Sequence, residues 1–135
     1  MENETPEERF MRETSQYLSL PQGDSYVTTL AEGEHAFLDG DGKRVATREQ
    51  SKSENLIYLV TAYDPKGGVV VNSKALRAPR GFIKAVNEYR HAHGTSVGAW
   101  IRVTRQGTGQ ESQYICLLMS GIEELPQALQ LKARS

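Results

Sequence analysis

The segment LRAPRGFIKAVNEYRHAHG, Leu76 to Gly94, limits the possible folds more than any other part of the chain. Phe82, Ile83, Val86 and Tyr89 recur at helical spacing, Pro79 suits an early helix position, and Gly94 suits the residue that closes a last turn. The spacing predicts an amphipathic helix of about three to four turns. Strand-like segments stand on both sides of it. A single well-marked helix among strands restricts the chain to a mainly β architecture with one helix inserted late in the order.

The strand segments have their own signals. SYVTTLAEGEHAFL, Ser25 to Leu38, is rich in β-branched and aromatic residues and is broken once, at Gly33. That pattern predicts one long strand bent by a bulge. DGDGKRVATREQSKSE, Asp39 to Glu54, reads as a turn followed by a weak strand or loop. Its DGDG start lacks the ligand spacing and final Glu of a calcium loop, which favours a hairpin turn. NLIYLVTAYD, Asn55 to Asp64, is the strongest strand, and a Pro65–Gly68 turn leads into a short strand at Val69–Asn72. After the helix, Ala99–Arg105 and Ser112–Met119 form a second hairpin with a Gly107-Thr108-Gly109 tip. The C-terminal GIEELPQALQLKARS reads as a short helix or tail interrupted by Pro126.

The order is therefore bent strand, strand, strand, helix, strand, strand. That is the order of a five-stranded Greek-key OB barrel, in which a bulged first strand serves both halves and the helix plugs one end. The predicted divisions are an acidic arm over 1–24, an OB-fold domain over 25–120, and a short helix or tail over 121–135.

The stretch ALRAPRGFIKAVNEYRHAHGTSVGAWIRVTRQGTGQESQYICL resembles small OB-fold single-stranded-DNA-binding proteins of the bacteriophage and archaeal kind. Those proteins pair such a helix with a strand of the form Gly-x-x-Ile-x-Ile-x-Arg, a Gly-x-Gly tip and a Tyr-bearing strand. VTTLAEGEHAFL is similar to their first strand, and the resemblance runs over roughly residues 25–119. It implies a non-enzymatic protein of the cytoplasm, or of the host cytoplasm if phage-encoded, acting in DNA replication, recombination or repair. Many such proteins end in an acidic recruiting tail. This chain ends in QLKARS and carries its acids at the other end, a departure that puts the recruiting role in doubt.

Charge is segregated along the chain. The formal net charge is only −1, yet residues 1–24 carry six acids against two bases and residues 74–105 carry seven bases against one acid. Binding single strands needs aromatic faces for bases and cations for phosphates. In the second hairpin, Ile101 and Val103 are expected inward with Ile115 and Leu117, which puts Trp100, Arg102 and Tyr114 on one outer face. Burial of Trp100 and Tyr114 against the N-terminal arm or the C-terminal helix is the alternative. In Asn55–Asp64, Ile57 and Leu59 make the better aliphatic pair, which adds Tyr58 to the platform ahead of Tyr63. Arg44 and Arg48 lie in the first inter-strand loop, Lys74 and Arg77 precede the helix, and Arg105 ends its strand, so these are the expected phosphate contacts. The acidic arm opposite these bases predicts an autoinhibitory contact relieved by deleting residues 2–20.

Other classes find less support. One cysteine, Cys116, excludes an intrachain disulfide framework, and its apolar surroundings suit a small buried hydrophobe. No apolar run approaches the length of a membrane span. His91 and His93, two apart at a helix end, point to different sides, and no zinc, catalytic or phosphate-loop motif assembles. No cofactor or metal is expected. The expected partner is a single-stranded nucleic acid, DNA before RNA, with self-association possible; the rival reading is a protein-interaction module on the same barrel, with Trp100 and Tyr114 as anchors.

Overall fold

Strand β4, Ser53–Tyr63, carries the rest of the sheet. In the computed structural model, which describes residues 5–7, 17–65, 68–107 and 112–133, this strand has neighbours along both edges. On one edge its first half pairs with β2, Glu34–Leu38, and its second half with β1, Gly23–Thr29. On the other edge it pairs with β5, Val69–Arg77. A two-residue strand β3, Arg44–Val45, extends β2. β6, Trp100–Gln106, lies beside β1, and β7, Gln113–Leu118, lies beside β6. All of these pairs are antiparallel. The path is β3-β2-β4-β1-β6-β7, with β5 on the free edge of β4. The protein is thus mainly β, with one antiparallel sheet.

Among the described residues there are seven strands where five were expected, for two local reasons. The long first strand divides at Leu30–Gly33, where the backbone turns along β4 and Leu30 N–H donates to the Leu59 carbonyl. The polar Asp39–Glu54 segment then contributes β3 and a single 3-10 turn at Arg48–Gln50. The strand expected to end at Asn72 instead continues to Arg77. A bulge interrupts it, with Ser73 in the left-handed region at φ 53°. Thr61 Oγ1 donates to Asn72 Oδ1 and accepts from Ser73 N–H, which steadies the irregularity.

Helix α1, Arg80–His93, begins after Pro79 and ends at Gly94, whose φ of 78° is a conformation that favours glycine. It presses Phe82, Ala85 and Val86 onto one face of the sheet. The main core there contains Val27, Tyr58, Val60, Ala62, Leu76, Ala99, Ile101 and Val103. Two smaller clusters form elsewhere. Tyr26, Met119, Leu125 and Leu129 gather with Tyr63, Trp100 and Ile122 on the sheet face opposite α1, under the C-terminal helix α2, Gln127–Ala133. Ala36, Leu38 and Ile57 gather with Tyr17 and Ala75.

The sheet is open between β5 and β7 among the described residues. Leu18 and Leu20 come in at that seam, only 7% and 2% exposed. Leu18 N–H donates to the Ala75 carbonyl of β5, and the Arg105 guanidinium of β6 donates to the Leu20 carbonyl. A small pocket of about 70 Å³ between these elements is lined by Leu18, Leu20, Leu76, Phe82, Val103 and Tyr114. The last residues of the expected acidic arm are therefore part of the core. The rest of that arm, apart from residues 5–7, lies outside the described residues, as does the Thr108–Gly109 part of the hairpin tip.

Candidate nucleic-acid interface

Cross-strand register decides which candidate side chains share a surface, because directly opposed residues project from the same face. Arg102 opposes Tyr26, and Tyr26 opposes Tyr63. Arg77 opposes Ile57 on β4, and Arg44 opposes Leu38, which opposes Ser53. Positions 53, 57 and 63 of β4 share a side by the two-residue period. Arg44, Arg77 and Arg102 therefore lie on the side opposite α1, together with Trp100 and Tyr63. The Tyr63 and Trp100 rings are 5.8 Å apart and tilted by 35°.

The expected platform is only partly assembled. Trp100 does face outward with Arg102, but it is half-buried in the cluster beneath α2, the alternative weighed from the sequence. Tyr114 is a correction. Arg105 opposes Tyr114, Val103 opposes Cys116 and Ile101 opposes Leu118, so Tyr114 faces the main core and packs against it. Ile115 and Leu117, expected inside, are 56% and 52% exposed. A one-residue change of register moves a whole strand to the other face, and apolar residues on both sides of β7 made either register plausible from composition. Tyr58 is a second correction. It is 4% exposed and its ring lies 5.6 Å from that of Phe82. Gly33 permits this, since a Cβ there would come within 2.6 Å of the Tyr58 ring. Leu59, expected inside, is exposed, and Ile57 belongs to the third cluster.

The cations divide by environment. Arg102 is exposed and makes no hydrogen bond or ion pair with another described residue. Arg44 pairs with Glu34 at the surface. Arg77 lies over the Tyr17 ring at 5.6 Å, and the Tyr17 hydroxyl donates to the Gly42 carbonyl at 2.8 Å. Arg48 pairs with Glu54 and sits 5.7 Å over Phe37, and Lys74 opposes Val60; register places both on the α1 side. Arg105 is held by the Leu20 carbonyl and by Ser112 Oγ, which makes it a structural tie in this conformation. Cys116 is half-buried beside Gly81, and burial pushes its thiol up to about 11, so it is protonated at neutral pH.

The bend between β1 and β2 is anchored through Glu32. Its carboxylate accepts from Ser96 Oγ at 2.5 Å, from Thr95 Oγ1 at 2.9 Å and from the Arg90 guanidinium. Those hydrogen bonds, led by Ser96, hold the carboxyl at about 2, well below the usual range. Thr29 Oγ1 adds a bond to the Ser96 carbonyl, which ties the loop after α1 to the same bend.

Sequence reasoning passed over Tyr63 in favour of Tyr58, and it did not single out Lys84 and Arg90, which line one groove with Arg80. The i, i+4 spacing of Arg80 and Lys84 on α1 was the available signal. Among the described residues no helix is long and apolar enough to cross a membrane. Comparison with family models, curated proteins and solved structures gave no match to this chain.

Proposed function

We propose that this protein is a non-enzymatic OB-type single-strand binder, with DNA as its preferred ligand, and that the strand lies across the sheet face opposite α1. One observation carries the reading: Arg44, Arg77 and Arg102 share that face with the Trp100–Tyr63 ring pair. Bases stack on the accessible parts of Trp100 and Tyr63, and phosphates meet the arginines, which is the combination single-strand recognition requires. The bent first strand, which reaches both β4 and β6 before running on along β4 as β2, supports the OB-type reading. Titration with oligo-dT at two salt concentrations tests it. Quenching of the single tryptophan, with an affinity that falls as salt rises, is expected. An absence of oligonucleotide binding at low salt would sink the reading.

A second reading rests on Ile115 and Leu117. They are exposed on β7, and Leu117 stands directly across from Arg102. Neighbouring exposed aliphatics on an edge strand suit a protein-docking surface. Light scattering with and without oligo-dT separates the two: a stable assembly that Ile115→Lys disrupts and that excludes DNA favours docking.

A further inference from the structure

Behind the sheet, on the side away from Trp100, a groove of about 430 Å³ runs between α1 and the β1–β2 bend. Its volume is in the range of small-ligand sites, roughly 300–1,000 Å³. One wall is cationic, formed by Arg80, Lys84 and Arg90 of α1; the floor is apolar, formed by Leu56, Ile83 and Tyr58. Asn87 offers an amide with both donors and an acceptor between them. Gly33 completes the rim, and it lets the Tyr58 ring approach the backbone there.

The charge arrangement works against the helix itself. Arg80 stands in the first turn of α1, where the backbone dipole favours anions, and no acid accompanies it. Lys84 follows at i+4, a like-charge neighbour. Neither forms an ion pair with another described residue. Arg90, by contrast, is fixed by Glu32, and the Ser96 and Thr95 bonds to Glu32 hold that end of the groove in place. A bound phosphate would offset the repulsion, and a flat ring would cover the apolar floor.

From this juxtaposition of cationic wall, apolar floor and central amide we infer that the α1 groove is a nucleotide site, with the phosphate on Arg80 and Lys84 and the base against Leu56 and Ile83. It is separate from the proposed strand path, since it opens on the other side of the sheet. The nucleotide is either free or one unit of a strand that wraps round the sheet. Backbone-amide NMR of the full chain distinguishes the two, with thymidine monophosphate, oligo-dT and inorganic phosphate as separate probes. Saturable shifts at Gly33, Leu56, Lys84 and Asn87 with the monophosphate identify a free nucleotide site. The same shifts with oligo-dT alone identify a strand unit. In either case Arg80→Ala with Lys84→Ala is expected to weaken that binding about tenfold without lowering the thermal midpoint of the free protein, since the repulsion within the helix is relieved. If neither nucleotide probe moves those amides, or if inorganic phosphate binds as tightly as the monophosphate, the inference is overturned. Tryptophan quenching by oligo-dT with a silent groove would remove this inference and leave the proposed function standing. Groove binding of the monophosphate without any binding of oligo-dT would do the reverse.

Discussion

Tyr63 of β4 and Trp100 of β6 meet across β1, with ring centroids 5.8 Å apart, on the side of the sheet that α1 does not cover. Leu129 of α2 is fully buried in the same cluster, so the C-terminal helix sets how much of the ring pair meets solvent. Leu129→Ala is expected to cost about 2–5 kcal/mol in urea unfolding. It should also shift tryptophan emission to longer wavelength. An unchanged emission maximum would detach α2 from the exposure of Trp100.

Two arginines on one strand should behave differently. Arg102 is exposed with no described ion-pair partner, whereas Arg105 donates to the Leu20 carbonyl and to Ser112. Arg102→Ala should leave stability within about 0.5 kcal/mol. It should weaken oligo-dT binding and reduce the slope of log K against log salt by about 0.7, one phosphate contact on a single strand. Arg105→Ala should instead cost about 1–3 kcal/mol of stability, because a part-buried carbonyl loses its donor. Paired unfolding and binding curves for the two variants check the contrast.

Gly33 is required by its neighbour more than by its own backbone. A Cβ at this position would lie 2.6 Å from Cε1 of Tyr58, whose ring is enclosed by the main core. Gly33→Ala is expected to destabilise by about 1–3 kcal/mol through overpacking. Combining it with Tyr58→Leu should recover part of that loss, a non-additivity measurable as a double-mutant cycle.

The Glu32 network should leave a mark at acid pH. Its folded-state carboxyl is held at about 2, from an ordinary value of 4.5, chiefly by hydrogen bonds from Ser96, Arg90 and Thr95. A lowered folded value means that the unfolded chain binds more protons between those limits, so the contribution is present above about pH 4.5 and lost as pH falls towards 2. Glu32→Gln should therefore have a lower urea midpoint than the parent chain at neutral pH. The gap should close across that window. A gap that stays constant would remove the linkage.

Tyr17, Leu18 and Leu20 make the described end of the N-terminal segment part of the fold. Leu20 is 2% exposed in the seam between β5 and β7, and Leu18 is bonded to Ala75. Leu20→Ala should cost about 2–5 kcal/mol. Deleting residues 2–20 should destabilise the fold for the same reason, which spoils that deletion as a test of autoinhibition. Deleting residues 2–16 removes five acids and keeps both leucines, so tighter oligo-dT binding at low salt is the outcome expected of an inhibitory arm.

Short-range chemistry determined much of this protein from its sequence. The helical period and Gly94 marked α1, whose residues are neighbours three and four apart. The glycine at position 33 marked a break in the first strand segment, though as a division into two strands and not as the expected bulge, and the outward direction of Trp100 and Arg102 followed from the inward pair Ile101 and Val103. Tertiary structure decided the rest. Period two says that Tyr114 and Ile115 face opposite ways, but only the pairing of Tyr114 with Arg105 says which of them meets the core. Tyr58 turned inward because Phe82, far along the chain, and the bare backbone at Gly33 made a space for its ring. Leu18 and Leu20 became core because β5 and β7 left a seam between them. Alternation is a property of adjacent residues, whereas the choice of face is made by partners distant in sequence, and burial favours whichever register fills the space those partners leave.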